Sequence, residues 1–282
     1  MPAHTKLSIL VTRGAPAIFG ALALLALGGA TAAGQGQSPS SEASTSGWVD
    51  DFNGNQLDLT RWVVANGQAP GYIPGYHKGY YLSDNVSVQN GFLTILLTQE
   101  IGQVDTNPNG VISKGGLIYT NATYGYGTYQ WSMRMSSTAS SPDGPGDSTS
   151  GSVSAGFVYV NNSQTEIDFE FSGLSPETLW LVNWRNPNPS MTPTSANETY
   201  MTLYPFSVST AFHTYKLVWT KKRITFYVDN VQQAVHTTNV PTAPAYFMIN
   251  HWGTDSGNWG GAATVGTPRY FYVDWVSFTP PQ

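Results

Sequence analysis

Beyond residue 46 no stretch of apolar and polar positions keeps a helical apolar period over about 10 residues. The runs are short, rich in β-branched and aromatic residues, and bounded by Gly, Pro, Asn and Asp, the punctuation of a sheet protein. Val86–Val88 and Phe92–Thr98 flank Asn90-Gly91, a pair suited to the two left-handed positions of a tight hairpin. Further strands are predicted at Tyr126–Met135, Ser152–Val160, Thr165–Ser172, Leu179–Asn183, Tyr200–Tyr204 and Phe212–Trp219. A second hairpin is expected from Arg223–Val228 through Asp229-Asn230 to Val231–Val235, and Ala245–Trp252 and Tyr270–Phe278 complete the set. So many strands predict an all-β fold, a β-sandwich jelly roll of two antiparallel sheets with a concave substrate cleft. The segments 136–151, 186–197 and 253–268 are rich in Gly, Pro, Ser and Thr. They are expected at the rims, where loops shape a cleft.

One strand stands apart. Glu166-Ile167-Asp168-Phe169-Glu170 alternates acid and apolar, so three carboxyl groups share one strand face and Ile167 and Phe169 the other. The chain has 17 acidic residues in 282, so three on one face is a costly concentration. Each carboxylate disfavours ionisation of the next, which points to a site that uses shifted pKa values. Glycoside hydrolysis fits, because it needs a carboxylate and a carboxylic acid facing one bond.

Composition narrows the classes. Lys6 and Arg13 precede an apolar stretch, Ala15–Leu27, and small residues follow at Ala30–Ala33. This reads as a secretory signal peptide over residues 1–33, giving a secreted, extracellular or periplasmic, protein. An uncleaved membrane anchor is the competing reading. Residues 34–46 read as a flexible linker, leaving residues 47–282 as one catalytic domain. There is no cysteine, which excludes thiol catalysis, disulfides and thiolate metal sites. A net charge of −5 without basic clusters argues against nucleic acid or an acidic membrane as partner. With 9 Trp, 16 Tyr and 12 Phe the chain has rings to spare for stacking on sugars, although most must fill the core.

The segment Glu166–Phe171 with Gly173 resembles the active-site strand of glycoside hydrolase family 16, in the uninterrupted form of its lichenase and xyloglucan endotransglycosylase branches. Asp51–Gly54 through Trp62, Asn85–Leu93, Tyr124–Tyr129, Phe212–Tyr215, Phe226–Asp229, Asn250–Trp252 and Tyr272–Trp275 are similar to the family in the same order. The resemblance implies Glu166 as nucleophile, Glu170 as general acid/base and Asp168 as the assistant between them, with retention of anomeric configuration. It also implies substrate contacts at Phe157, Asn183, Asn250 and Trp252, with Trp184 or Arg185 also facing the glucan. The Trp-Asp of lichenases before the nucleophile is replaced by Gln164-Thr165, and Gln130 and Ser132 are expected to alter subsite contacts. No cofactor is expected for catalysis. A structural Ca²⁺ is implied at Asp274 with backbone oxygens near Asp51 and Gly91.

These features predict a monomeric, secreted endo-β-glucanase acting on a polysaccharide, with mixed β-1,3-1,4-glucan ahead of β-1,3-glucan and xyloglucan. A transglycosylase using the same site, and a carbohydrate-binding protein without catalysis, remain as alternatives.

Overall fold

A computed structural model describes residues 44, 46–195, 198–199, 203–204 and 207–281. The expected signal peptide lies outside the described residues, as does the linker except for Ser44 and Ser46. So does the start of the strand expected at Tyr200–Tyr204.

The chain forms β1 (Trp48–Asp50), β2 (Trp62–Val64), β3 (Gly67–Ile73), β4 (His77–Tyr81), β5 (Val86–Gln89), β6 (Phe92–Val104) and β7 (Asn107–Tyr124). There follow β8 (Gly127–Ser137), β9 (Ser152–Val160), β10 (Thr165–Ser172), β11 (Leu179–Trp184), β12 (Glu198–Thr199) and β13 (Leu203–Tyr204). The remainder are β14 (His213–Trp219), β15 (Ile224–Val228), β16 (Val231–His236), β17 (Ala245–Gly253) and β18 (Arg269–Thr279). One sheet runs β2–β7–β17–β9–β10–β11, with β12 and β13 on the free edge of β11. The second runs β5–β6–β18–β8–β14–β15–β16, with β1 also on β18. Beyond the sandwich, β6 and β7 continue as a hairpin that carries β3 and β4, and β4 runs parallel to β7.

Local chemistry explains the corners. Asn90 and Gly91 have φ 54° and 80°, and Asp229 and Asn230 have φ 50° and 63°, so both expected hairpins turn through paired left-handed residues. β7 was not legible as a strand because glycines and asparagines interrupt it. Those glycines are there for packing: a Cβ on Gly115 would lie 2.0 Å from the carbonyl oxygen of His251. Only glycine lets β17 come that close.

The core sits between the sheets. Phe169 of β10 meets Trp131 of β8, Tyr215 of β14 and Phe226 of β15 at ring separations of 5.9, 5.4 and 5.3 Å. Opposite Phe169 on β9 stands Gly156, where a Cβ would be 2.8 Å from Met133 Sδ. The carboxylate-bearing strand β10 is thus clamped from behind by rings of the other sheet. Gln130 and Ser132 belong to that other sheet, β8. Gln130 Nε2 donates to Ser277 Oγ at 3.3 Å and Ser132 Oγ to Asp274 at 3.3 Å. They therefore do not touch the cleft, and the expectation that they alter subsites is corrected.

Candidate active site

β10 pairs without a register break to β9 over residues 165–172 and to β11 over 166–171. An unbroken pleat keeps Glu166, Asp168 and Glu170 on one face and sends Ile167, Phe169 and Phe171 into the core. Residues opposite each other across antiparallel strands share a face, so the register names the neighbours. Glu166 lies between Tyr159 of β9 and Trp184 of β11, Asp168 between Phe157 and Val182, and Glu170 between Ala155 and Trp180. The same rule continues the surface across β17 through Tyr246, Met248, Asn250 and Trp252, and onto β7 through Leu117 and Tyr119. The result is a carboxylate row on an aromatic, concave sheet.

The electrostatics of the row follow from burial. Glu166 and Asp168 are each 5% exposed, and Glu170 is partly open to the cleft. Burial pushes Glu166 up to about 7; a hydrogen bond from Ser163 Oγ pulls it back and the charge of Glu198 pushes it further up. Burial, followed by the charges of Glu166, Glu170 and Glu198, holds Asp168 well above the usual carboxyl range. Burial and then Glu166 push Glu170 up to about 8. Glu166 has a hydrogen-bond donor that favours its charged form, and among the described residues Glu170 has none. The two ends of the row are therefore chemically unlike.

The expected substrate contacts divide. Phe157, Trp184 and Asn250 lie on the cleft face beside the carboxylates. Trp252 shares that face but is 4% exposed and packs under β3, where a Cβ on Gly71 would be 3.1 Å from Trp252 Cζ3. Like Phe157 and Asn250, each 1% exposed, it is a floor residue. Asn183 is opposite Ile167, on the core side. Its amide donates to the carbonyls of Thr238 (3.2 Å) and Asn239 (2.8 Å), and its Oδ1 meets His236 Nδ1 at 2.8 Å. Asn183 pins an interior turn and is corrected as a sugar contact. Arg185 is exposed beyond the end of β11. Thr165 also faces inward, donating to the Ala243 carbonyl at 2.7 Å, and Gln164 sits in the turn before β10.

Residues not anticipated complete the cleft. Trp180 meets Trp259 of the 253–268 loop edge-on at 5.0 Å, walling the side of Glu170. Glu198 of β12 is opposite Trp184, which places a fourth carboxylate beyond Glu166. Counting back by two from Trp184 would have found Val182 and Trp180. Nothing local in the sequence marks Glu198 or Trp259.

The groups implied as calcium ligands have partners within the protein. Asp274 takes the Ser132 hydroxyl, Asp51 Oδ1 accepts the Asn53 amide at 3.4 Å, and Gly91 occupies the β5–β6 turn facing Asn53. Among the described residues no group of three or more His, Cys, Asp or Glu could hold a metal ion. Among the described residues no helix is long and apolar enough to cross a membrane.

Comparison with known proteins agrees with this geometry. The model of glycosyl hydrolases family 16 matches residues 77–277. A beta-glucanase of Paenibacillus polymyxa is 34% identical over 229 residues, 79% of this chain and 84% of that protein. An endo-1,3-1,4-beta-glycanase of Rhizobium meliloti is 28% identical, covering 82% of this chain and 77% of its own. The beta-glucanase of Bacillus licheniformis superposes with a TM-score of 0.65 at 23% identity, covering 83% of this chain and 98% of that one. The laminarinase catalytic domain of Thermotoga maritima gives 0.65 at 19% identity, over 83% and 97% of the two chains. These two share the fold. With a family model spanning most of the chain and a relative this similar over most of its length, the chain belongs to glycosyl hydrolases family 16.

Proposed function

We propose that this chain is a secreted, endo-acting, retaining β-glucanase that cuts mixed β-1,3-1,4-glucan. Glu166 attacks the anomeric carbon while Glu170 gives its proton to the departing glycosidic oxygen, leaving a glycosyl ester on Glu166. Glu170, now ionised, takes a proton from water, whose oxygen attacks the same carbon and releases Glu166. Asp168 lies between the two, its own pKa raised by burial and by the charges of its neighbours, and the charge of Glu166 favours a protonated Glu170 in the first step. The observation that carries this reading is the carboxylate row on an aromatic concave face, with a hydrogen-bond donor at Glu166 and, among the described residues, none at Glu170. Retaining enzymes need carboxyl groups about 5–5.5 Å apart, and on the concave side of a sheet side chains at i and i+4 lean toward each other.

Similarity to the Paenibacillus and Rhizobium enzymes supports the β-glucan class and, through the second, the mixed linkage. The basic and apolar pattern of residues 1–33 supports export. The test is product analysis on barley mixed-linkage glucan, laminarin and xyloglucan, with Glu166→Ala alongside. New reducing ends from mixed-linkage glucan, first formed as the β-anomer and lost in the variant, are expected. Label transfer to oligosaccharide acceptors in place of reducing ends would make the enzyme a transglycosylase. Binding without cleavage would make it a lectin.

A further inference from the structure

The turn that delivers Glu166 to the cleft has an unusual backbone. Asn161, Asn162 and Ser163 have φ 44°, 52° and 59°, three successive non-glycine residues in the left-handed region. Each such residue is unfavourable for an L side chain, and the conformation persists only where the surroundings dictate it. Here they do. Asn162 Nδ2 donates to the carbonyls of Pro189 (3.1 Å) and Met191 (2.9 Å), and Asn186 Nδ2 returns a bond to the Asn162 carbonyl at 2.9 Å. The Asn186 amide donates to the Ser163 carbonyl at 2.8 Å, and the Gln164 amide closes the turn on Asn161 at 3.0 Å. All this scaffolding has one product in the cleft: Ser163, 1% exposed, turns its Oγ onto Glu166 Oε2.

We infer that Ser163 is a positioning residue for the nucleophile, donating its hydroxyl proton to Glu166 Oε2 so that Oε1 is the oxygen presented to the anomeric carbon. The inference rests on the reading of Glu166 as nucleophile. The other titratable groups that act on or face Glu166 are Asp168 and Glu170 from β10, Tyr159 from β9 and Glu198 from β12. None is a cation. Ser163 is the hydrogen-bond donor on this carboxylate among the described residues, so it both fixes the rotamer and favours the charged form in a row that otherwise disfavours it. The 185–191 segment thereby acts on Glu166 through the turn, since the Pro189 and Met191 carbonyls and the Asn186 amides hold the turn that holds the hydroxyl.

The test uses the full chain with Ser163→Ala and Ser163→Gly, since glycine keeps the left-handed backbone without the hydroxyl. Both variants are expected to move the acidic limb of the kcat/KM profile upward by about one pH unit, the effect of losing a hydrogen bond to a charged group. Both should lower kcat about tenfold with KM little changed. An unmoved acidic limb in both, or a limb moved in the alanine variant alone, overturns the inference; the second result would assign the effect to the backbone. Mass mapping of wild-type enzyme inactivated by a 2-deoxy-2-fluoro-β-glucosyl reagent separates the two levels. A label on Glu166 with an unmoved limb defeats only the role of Ser163, whereas a label elsewhere defeats the nucleophile assignment as well.

Discussion

At the scale of the residue, the carboxylate row is where the chemistry and its pH dependence are set. The proposed double displacement needs Glu166 ionised and Glu170 protonated, so on that reading kcat/KM rises as the first loses its proton and falls as the second does. Burial, with the charge of Glu198, raises Glu166 to about 7, and burial, with the charge of Glu166, raises Glu170 to about 8. The two limbs belong to the coupled row rather than to single residues. The profile is predicted to be a bell near neutral pH; a bell centred at about pH 4–5, the ordinary carboxyl range, would contradict the electrostatics. The alternation of acid and apolar residues made this row legible in the sequence. The resemblance implied Asn183 as the cleft contact, but adjacent strand residues face opposite ways and it is Trp184 that stands beside the carboxylates. Pairing of Asn183 with Ile167 puts it in the core. Ser163 and Glu198 were illegible because a strained turn and a two-residue strand bring them in, and neither leaves a periodic signal.

Among the elements, β10 is made rigid by what lies behind it. Phe169→Ala would empty a site lined by Trp131, Tyr215 and Phe226. A loss of about 3–5 kcal/mol is expected, read by chemical denaturation, with activity falling in parallel as the carboxylates lose their backing. A variant as stable as wild type would show the clamp to be dispensable. The 253–268 loop is tied down at several points: the Gly151 amide donates to the Gly260 carbonyl (2.7 Å), Thr264 Oγ1 to the Ser150 carbonyl (2.8 Å) and Arg269 Nη1 to the Thr264 carbonyl (2.8 Å). Trp259 is therefore presented by a fixed wall rather than a free strand of chain. Trp259→Ala is predicted to raise KM for long glucans about 2–10-fold, the worth of one aromatic contact, and to leave kcat nearly unchanged. An unchanged KM would remove Trp259 from the cleft. Paired strands with clear alternation, such as Ser152–Val160 and Thr165–Ser172, were legible to the residue. β7 was not, since its glycines serve close approach by β17 and look like loop signals when read alone.

For the whole molecule, the carboxylate row is a stability liability with a definite pH sign. Each carboxyl has a folded pKa above its unfolded value, so in the interval between them the folded state binds more protons than the unfolded state. Stability therefore falls as pH rises through that interval, from about 4 toward 7–8. Glu170→Gln removes a charge from the row and is predicted to raise Tm relative to wild type at pH 9 but not at pH 4. Each kcal/mol relieved corresponds to roughly 2–4 °C in a domain of this size. An equal difference at both pH values would mean that the row carries no buried charge when folded. Without disulfides, this cost is borne by the aromatic core alone.

The most direct measurement is trapping of the glycosyl-enzyme. After reaction with a 2-deoxy-2-fluoro-β-glucosyl reagent and digestion, mass spectrometry should find the sugar on the peptide containing Glu166–Glu170, fragmenting to an ester on Glu166. A sugar on Glu170, or no covalent adduct while α-anomeric products accumulate from the polymer, would contradict the double displacement.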